Sequence, residues 1–128
     1  MEITEGLTGE ASALVDSSNT ARTMGSGDME VFATPSMIAL MEKAATNALK
    51  EYLASDSSSV GTVISVRHTA ATPLGMTVTA RAVLTGVDGK RLVFSVEAFD
   101  EKDKIGEGTH ERFIVNRERF LTKANGKK

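Results

Sequence analysis

The spacing of apolar residues separates a helical segment from the strands that follow it. Between residues 35 and 53 the apolar positions recur every three or four residues, which predicts one long helix. Thr34 and Pro35 form a typical helix start, since a threonine hydroxyl can cap free amides and a proline at the first helical position gives up no needed donor. The polar run SDSSSVG predicts the end of this helix.

From residue 60 onward apolar and polar residues alternate, which is the two-residue period of β-strands. The predicted strands lie at 60–68, 76–84, 92–98 and 105–115, with a weaker one near 8–16. Asp88-Gly89 stands between two alternating runs and predicts a tight hairpin, because both residue types tolerate the backbone of such a turn.

One helix followed by antiparallel strands predicts an α+β domain in which a curved sheet wraps the helix. The length of 128 residues is that of a single domain. Residues 17–30 are small and polar, which predicts a flexible loop or lid. Residues 122–128 form a basic tail that we expect to be frayed.

Some apolar residues of the predicted strands point away from the helix when the alternation is followed. These outward residues are Val63, Val83, Val93 and Phe99. Single apolar residues on a surface are common. The alternative is burial against a second subunit, and the sequence leaves both interpretations open.

Composition removes several classes of function. The chain has no cysteine, so disulfides, thiolate metal sites and a cysteine nucleophile are excluded, and its two histidines do not predict a metal site. The net charge of −2 and the scattered basic residues argue against nucleic-acid binding. The acidic start and the lack of any apolar run near the ~18 residues of a membrane span predict a cytoplasmic protein with no membrane partner.

Glu42 and His68 occupy unexpected positions in these patterns. Glu42 lies at the flank of the apolar face of the helix, where a carboxylate is partly desolvated, although a rim glutamate reaching water is the alternative. His68 ends the strand face that should pack towards the helix, where an imidazole needs hydrogen-bond partners. A lone inward histidine is more often structural. Together with Thr34, however, the two supply the parts of a nucleophile, base and orienter set.

Three segments resemble the hotdog-fold thioesterases of the fluoroacetyl-CoA thioesterase type. The segments are VFATPSMIALMEKAA, GTVISVRHTAATPLGMTVTARA and IGEGTHERFIV, and the resemblance runs from residue 31 to residue 115. It implies a hotdog homodimer, with tetramers as a further option, and an acyl-CoA site at the subunit interface. It also implies that no cofactor is required.

The same resemblance implies roles for individual residues. Thr34, Glu42 and His68 match the family's catalytic threonine, glutamate and histidine, while either Glu42, Thr34 or water could be the nucleophile. Gly61 matches a glycine whose amide lies near the thioester carbonyl, and Arg112 an arginine near the site. His110, in the same GTHER segment as Arg112, is interpreted as structural or solvated, with a phosphate contact to CoA as the alternative.

The segment before the helix departs from the family pattern. Family members that prefer fluoroacetyl-CoA have an aromatic-rich lid there, whereas this chain has no aromatic residue between Glu2 and Phe32. We therefore predict a thioesterase for small or medium acyl-CoA substrates instead of a fluoroacetyl-CoA specialist. The alternatives are a non-catalytic protein that binds acyl-CoA or a small apolar ligand, and a hotdog hydratase acting on enoyl-CoA.

Overall fold

The computed structural model describes residues 2–128. Five antiparallel strands form one sheet in the order β1-β3-β4-β5-β2. The strands are β1 (Thr8–Leu14), β2 (Ser57–His68), β3 (Thr77–Asp88), β4 (Arg91–Phe99) and β5 (Lys104–Asn116). The helices are α1 (Ala21–Met24), α2 (Thr34–Leu49) and α3 (Arg117–Asn125). This is the α+β arrangement that the spacing predicts, and the weak strand near residue 8 is confirmed.

Helix α2 lies against one face of the sheet and supplies much of the core. Its buried residues are Met37, Leu40, Met41, Ala44, Ala45, Ala48 and Leu49. The alanines let the β1 backbone approach closely, since a Cβ on Gly9 would lie 2.1 Å from the Ala44 carbonyl oxygen. Each large apolar side chain removed from water here stabilises the fold by roughly 1.5–3 kcal/mol.

The predicted helix is correct in place, but both of its ends differ from the prediction. It ends at Leu49 instead of residue 53, and Tyr52 continues as a turn by donating its amide to the Leu49 carbonyl. Thr34 is the first helical residue, and no side chain caps the start at Ala33. The prediction that Thr34 caps the helix is therefore wrong, because Ala33 holds the N-cap position. The Thr34 hydroxyl instead contacts His68.

A β-bulge in β2 changes which side chains face the helix. The register of β2 against β5 shifts between Gly61 and Val63. Before the shift Gly61 faces inward, whereas Val60 pairs with the half-exposed Phe113 on the outer face. The prediction of one continuous inward face starting at Val60 is therefore wrong, because an uninterrupted period of two does not allow for the extra residue of a bulge.

Two polar segments contain more regular structure than the sequence predicts. Residues 17–30 include the four-residue helix α1, which Thr20 caps by accepting a hydrogen bond from the Thr23 amide. The prediction of a frayed tail is wrong for residues 122–125, which belong to α3, a helix capped by Asn116.

Within residues 2–128, no helix combines the length and apolar character that crossing a membrane requires.

Strand β2 is an edge strand of the sheet, paired only with β5. Val63 and Ile64 near its middle are 44% and 37% exposed, which is high for apolar residues of a strand. An exposed edge of this length is a ready template for pairing with another strand.

Candidate active site

Thr34 and His68 form a direct contact at the start of α2. The Thr34 hydroxyl and the His68 Nδ1 lie 2.7 Å apart, although the residues are 34 positions apart in the chain. The helix places the hydroxyl, and the last residue of β2 places the imidazole. With Nδ1 as the acceptor, the hydroxyl donates its proton to the ring, which is the arrangement of a nucleophile and its base.

This pair lies in a cleft of about 270 Å³. The lining is uncharged apart from the titratable imidazole, and it consists mostly of small side chains. The lining residues are Ala21, Ser26, Val31, Phe32, Thr34, His68, Thr69, Ala70 and Ala71. A small, weakly polar cleft next to a hydroxyl–imidazole pair suits the acyl end of a substrate.

His68 is held in the form that a general base requires. Burial lowers its pKa below the ordinary value of 6.5, so the ring is neutral at pH 7 and free to accept a proton. The Nε2 atom is buried and finds no hydrogen-bond partner among residues 2–128.

Glu42, Gly61 and Arg112 form a second cluster. The Arg112 Nη1 and the Glu42 Oε2 are 3.7 Å apart, and the Glu42 side chain is 40% exposed. A Cβ on Gly61 would lie 2.6 Å from the same Oε2, so the carboxylate packs directly on the backbone of β2. Glycine is the residue that leaves room for this approach.

Arg112 is buried and held from several sides. Its Nε donates to the Ser59 hydroxyl at 2.8 Å and its Nη2 donates to the Ser59 carbonyl at 2.9 Å. Its Nη1 lies 3.1 Å from the His110 Nε2. A buried cation is costly unless it is bonded and paired, and here Ser59 supplies the bonds while Glu42 supplies the opposite charge.

His110 completes this network as a structural residue, which confirms the structural interpretation of the sequence. It is 1% exposed, and its Nδ1 donates to the Val63 carbonyl at 2.7 Å. That bond leaves Nε2 as the acceptor for Arg112. Burial lowers the pKa of His110, and the neighbouring Arg112 charge lowers it further, so the ring stays neutral. The carbonyl belongs to the bulge of β2, which thereby takes part in holding Arg112.

The two clusters lie apart within one chain. Thr34 and Glu42 are eight residues apart on α2, or about 12 Å along the axis. Gly61 and His68 are seven residues apart on β2, or about 20 Å. The structure thus brings Thr34 to His68, and Glu42 to Gly61 and Arg112, but within one chain it does not bring Glu42 to His68.

The sequence did not single out Ser59. It stands in a run of serines that indicates a turn. The signal for its role appears only in the register of β2 against β5, in which Gly61 is paired with Arg112. Ser59 lies two residues before Gly61 on the same inward face and therefore contacts the Arg112 guanidinium.

Comparison with known proteins identifies the family. Residues 15–118 match the model of the family described as fluoroacetyl-CoA-specific thioesterase. The chain is 50% identical over 98 residues to a fluoroacetyl-CoA thioesterase of Streptantibioticus cattleyicolor, a match that covers 77% of this chain and 70% of the relative.

Solved structures agree with this assignment. A structure of the fluoroacetyl-CoA thioesterase superposes with a TM-score of 0.93 at 40% identity, covering 100% of this chain and 99% of the other. A thioesterase superfamily member from Thermus thermophilus superposes with a TM-score of 0.89 at 28% identity, covering 97% of this chain and 92% of the other. A hot-dog-like protein from Thermanaerovibrio acidaminovorans, at 23% identity and a TM-score of 0.86, covers 96% of this chain and 91% of the other and supports the fold.

These matches favour the thioesterase over the non-catalytic alternative and confirm the resemblance, the hotdog fold and the acyl-CoA thioesterase activity expected from the sequence. The chain is a hotdog-fold thioesterase and belongs to the fluoroacetyl-CoA-specific thioesterase family.

Proposed function

We propose that the protein hydrolyses the thioester of a small acyl-CoA at a site composed of residues from two copies of the chain. In each site, Thr34 and His68 of one copy face Glu42, Gly61 and Arg112 of the other. The observation that carries this proposal is the 2.7 Å contact between Thr34 and His68 beside a small uncharged cleft. The other half of the chemistry is supplied by the cluster at the far end of β2.

The free edge of β2 explains how the halves meet. Two copies that pair through β2 about a two-fold axis run antiparallel, so each end of one strand lies beside the opposite end of the other. An axis near Ile64 and Ser65 places Gly61 of one copy opposite His68 of the second. This pairing also covers the exposed apolar side chains in the middle of β2. The half-exposed Glu42 carboxylate of one copy then lies beside the His68 imidazole of the other.

The parts of this composite site meet the needs of thioester hydrolysis. His68 accepts the proton of the attacking hydroxyl, either that of Thr34 or that of a water molecule held beside it. Glu42 orients the imidazole and stabilises the positive charge that develops on it. The first turn of α2 has no side-chain cap, so its amides and the Gly61 amide are the donors we assign to the oxyanion.

The cleft also supports the choice of acyl group. Its lining of alanines, Val31 and Phe32 accepts a short aliphatic chain, and α1 and the following turn cover one side of it. Because residues 17–31 contain no aromatic side chain, nothing in this cover matches the aromatic lid associated with fluoroacetyl-CoA preference. We therefore assign acetyl-CoA and similar short esters as substrates, without marked selection for the fluorinated ester.

Hydrolysis of a panel of acyl-CoA esters by three alanine variants tests the proposal. We expect Thr34→Ala, Glu42→Ala and His68→Ala each to lower kcat/KM at least about tenfold, since each removes a chemical part. Thr34→Ser keeps the hydroxyl and serves as the matched control that retains activity. Wild-type turnover by His68→Ala, measured as thiol release by a folded protein, would refute the assignment.

A further inference from the structure

An apolar groove lies next to the cleft that holds the Thr34–His68 pair. It has a volume of about 250 Å³ and lies between α1, the end of β1 and the first half of α2. Six apolar residues form most of its lining, and two neutral polar residues and one lysine complete it. The apolar residues are Ala13, Met24, Phe32, Pro35, Ala39 and Leu40. Such a lining suits an uncharged aliphatic chain.

The groove and the cleft are bordered by the same two segments. Helix α1 contributes Ala21 to the cleft and Met24 to the groove. The residues that lead into α2 contribute Thr34 to the cleft and Pro35 to the groove. Phe32 lines both spaces. The two spaces are therefore neighbours, and Phe32 stands between them.

The backbone around Phe32 is held on both edges. The Phe32 amide donates to the Thr72 carbonyl at 2.9 Å, and on the other edge the Ala33 amide donates to the Asn19 carbonyl at 2.9 Å. The Phe32 side chain is 2% exposed and belongs to the hydrophobic core. Because these backbone bonds do not involve the side chain, a smaller residue at this position opens space while the path of the chain is kept.

The volume beside the catalytic pair depends on this separation. The cleft of about 270 Å³ is small compared with the roughly 300–1,000 Å³ of pockets that enclose drug-sized ligands. The groove has nearly the same size, so joining the two would about double the space beside the Thr34 hydroxyl. A longer acyl chain gains affinity with each methylene that leaves water for apolar surroundings.

We infer that Phe32 determines the length of acyl chain that the enzyme accepts, by separating the cleft from the apolar groove. In the wild-type protein the acyl chain ends against Phe32, which restricts the substrates to short acyl groups. With a smaller residue at position 32, the chain of a longer acyl-CoA extends into the groove between α1 and α2. This inference rests on the proposed function, because it assumes that the acyl group occupies the cleft.

The ratio of kcat/KM for hexanoyl-CoA to kcat/KM for acetyl-CoA tests this role. We expect the ratio to rise at least about tenfold in Phe32→Ala, because a pocket that accepts an added methylene changes kcat/KM by about tenfold or more. Phe32→Leu retains more of the buried side chain and should show a smaller rise, which keeps the test available if Phe32→Ala does not fold. A merely structural role would lower the activity towards both substrates and leave the ratio unchanged.

Leu84→Ala is the matched control for the loss of a buried side chain. Leu84 lies in β3, is 1% exposed and lines neither the cleft nor the groove. We expect this variant to be less stable than the wild-type protein and to keep the wild-type ratio.

Refilling the groove shows whether the longer chain enters it. Ala39 is exposed and lines the groove but not the cleft. We expect Ala39→Phe alone to keep the wild-type ratio, and Phe32→Ala/Ala39→Phe to lose the rise seen in Phe32→Ala. A folded Phe32→Ala protein with the wild-type ratio, or a double variant that keeps the raised ratio, overturns the inference.

Binding of two thioethers that cannot be hydrolysed, S-ethyl-CoA and S-hexyl-CoA, separates this inference from the proposed function. By calorimetry we expect Phe32→Ala to strengthen binding of the hexyl compound relative to the ethyl compound at least about tenfold. A protein that hydrolyses no thioester but shows this shift refutes the proposed function and supports the role of Phe32. A protein that hydrolyses acetyl-CoA and has the same chain-length preference before and after the substitution supports the function and refutes the role of Phe32.

Discussion

Gly61→Ala is the substitution whose effect the structure defines most closely. The added Cβ would lie 2.6 Å from the Glu42 Oε2, 3.2 Å from the His110 Cε1 and 3.3 Å from the Arg112 Nη1. The backbone of Gly61 does not adopt a positive φ, so alanine is compatible with the strand itself. The change is therefore expected to displace the Glu42 carboxylate and to spare the fold.

The distances give the size of the effect. Restoring an ordinary contact of 3.4 Å requires the carboxylate to move by about 0.8 Å, since Glu42 is the flexible neighbour and Arg112 is held by Ser59. A displacement of about 1 Å at a reacting group costs up to about a hundredfold in rate. We therefore expect kcat/KM for acetyl-CoA to fall about 30- to 100-fold.

Steady-state thiol release and thermal unfolding together check this prediction. Gly86→Ala is the matched control, because its Cβ would meet Val93 at an unstrained 3.5 Å, and it should keep both activity and Tm. Gly108→Ala should instead disrupt the sheet, since its Cβ would lie 2.0 Å from the Ser65 carbonyl oxygen. A folded Gly61→Ala protein with wild-type kcat/KM would refute the assigned position of Glu42.

Other perturbations test separate parts of the account. Ile64→Lys places a charge in the middle of the free β2 edge and should convert the proposed dimer into an inactive monomer, as measured by light scattering and thiol release. An active monomer contradicts the composite site. Burial lowers the pKa of both His68 and His110, so the unfolded chain takes up these protons more readily. The free energy of unfolding should therefore decrease as pH falls below about 6.5, and each histidine contributes at most about 1.4 kcal/mol per pH unit. Urea unfolding between pH 5 and 8 measures this slope, which should diminish in His110→Asn; an unchanged slope contradicts the neutral ring. Met37→Ala should destabilise the fold by about 2–5 kcal/mol in urea unfolding, because Met37 is fully buried against the sheet; a cost below about 1 kcal/mol contradicts that packing.

Most of the fold can be predicted from the sequence, because the spacing of apolar residues matches the helix and strands that they form. The presence and order of α2 and the five strands follow from spacing, although their ends do not. Asp88-Gly89 marks the hairpin, where Gly89 has a φ of +61°. The bulge after Gly61 leaves no mark in the pattern, because one extra residue in a strand is visible only against its partner strand. The sequence pattern likewise does not predict helix α3, since its apolar residues Phe120 and Leu121 are exposed and form no buried face.

The sequence predicts a set of candidate site residues but not their arrangement. Thr34 and His68 meet because the first residue of α2 and the last residue of β2 lie side by side, which no local spacing reveals. The capping role expected of Thr34 fails because Ala33 holds the N-cap position and Thr34 is already the first helical residue. The network that links Ser59, Arg112 and His110 depends on the register of β2 against β5, which is a tertiary property.

Complementation between two inactive variants tests the composite site most directly. His68→Ala and Glu42→Ala chains, co-expressed with different tags and purified as the mixed dimer, retain one site in which His68 from one chain faces Glu42 from the other. We expect the mixed dimer to recover about half of the wild-type activity, because one of the two symmetric sites is intact. A mixed dimer as inactive as its parents would show that Glu42 and His68 do not act across the interface.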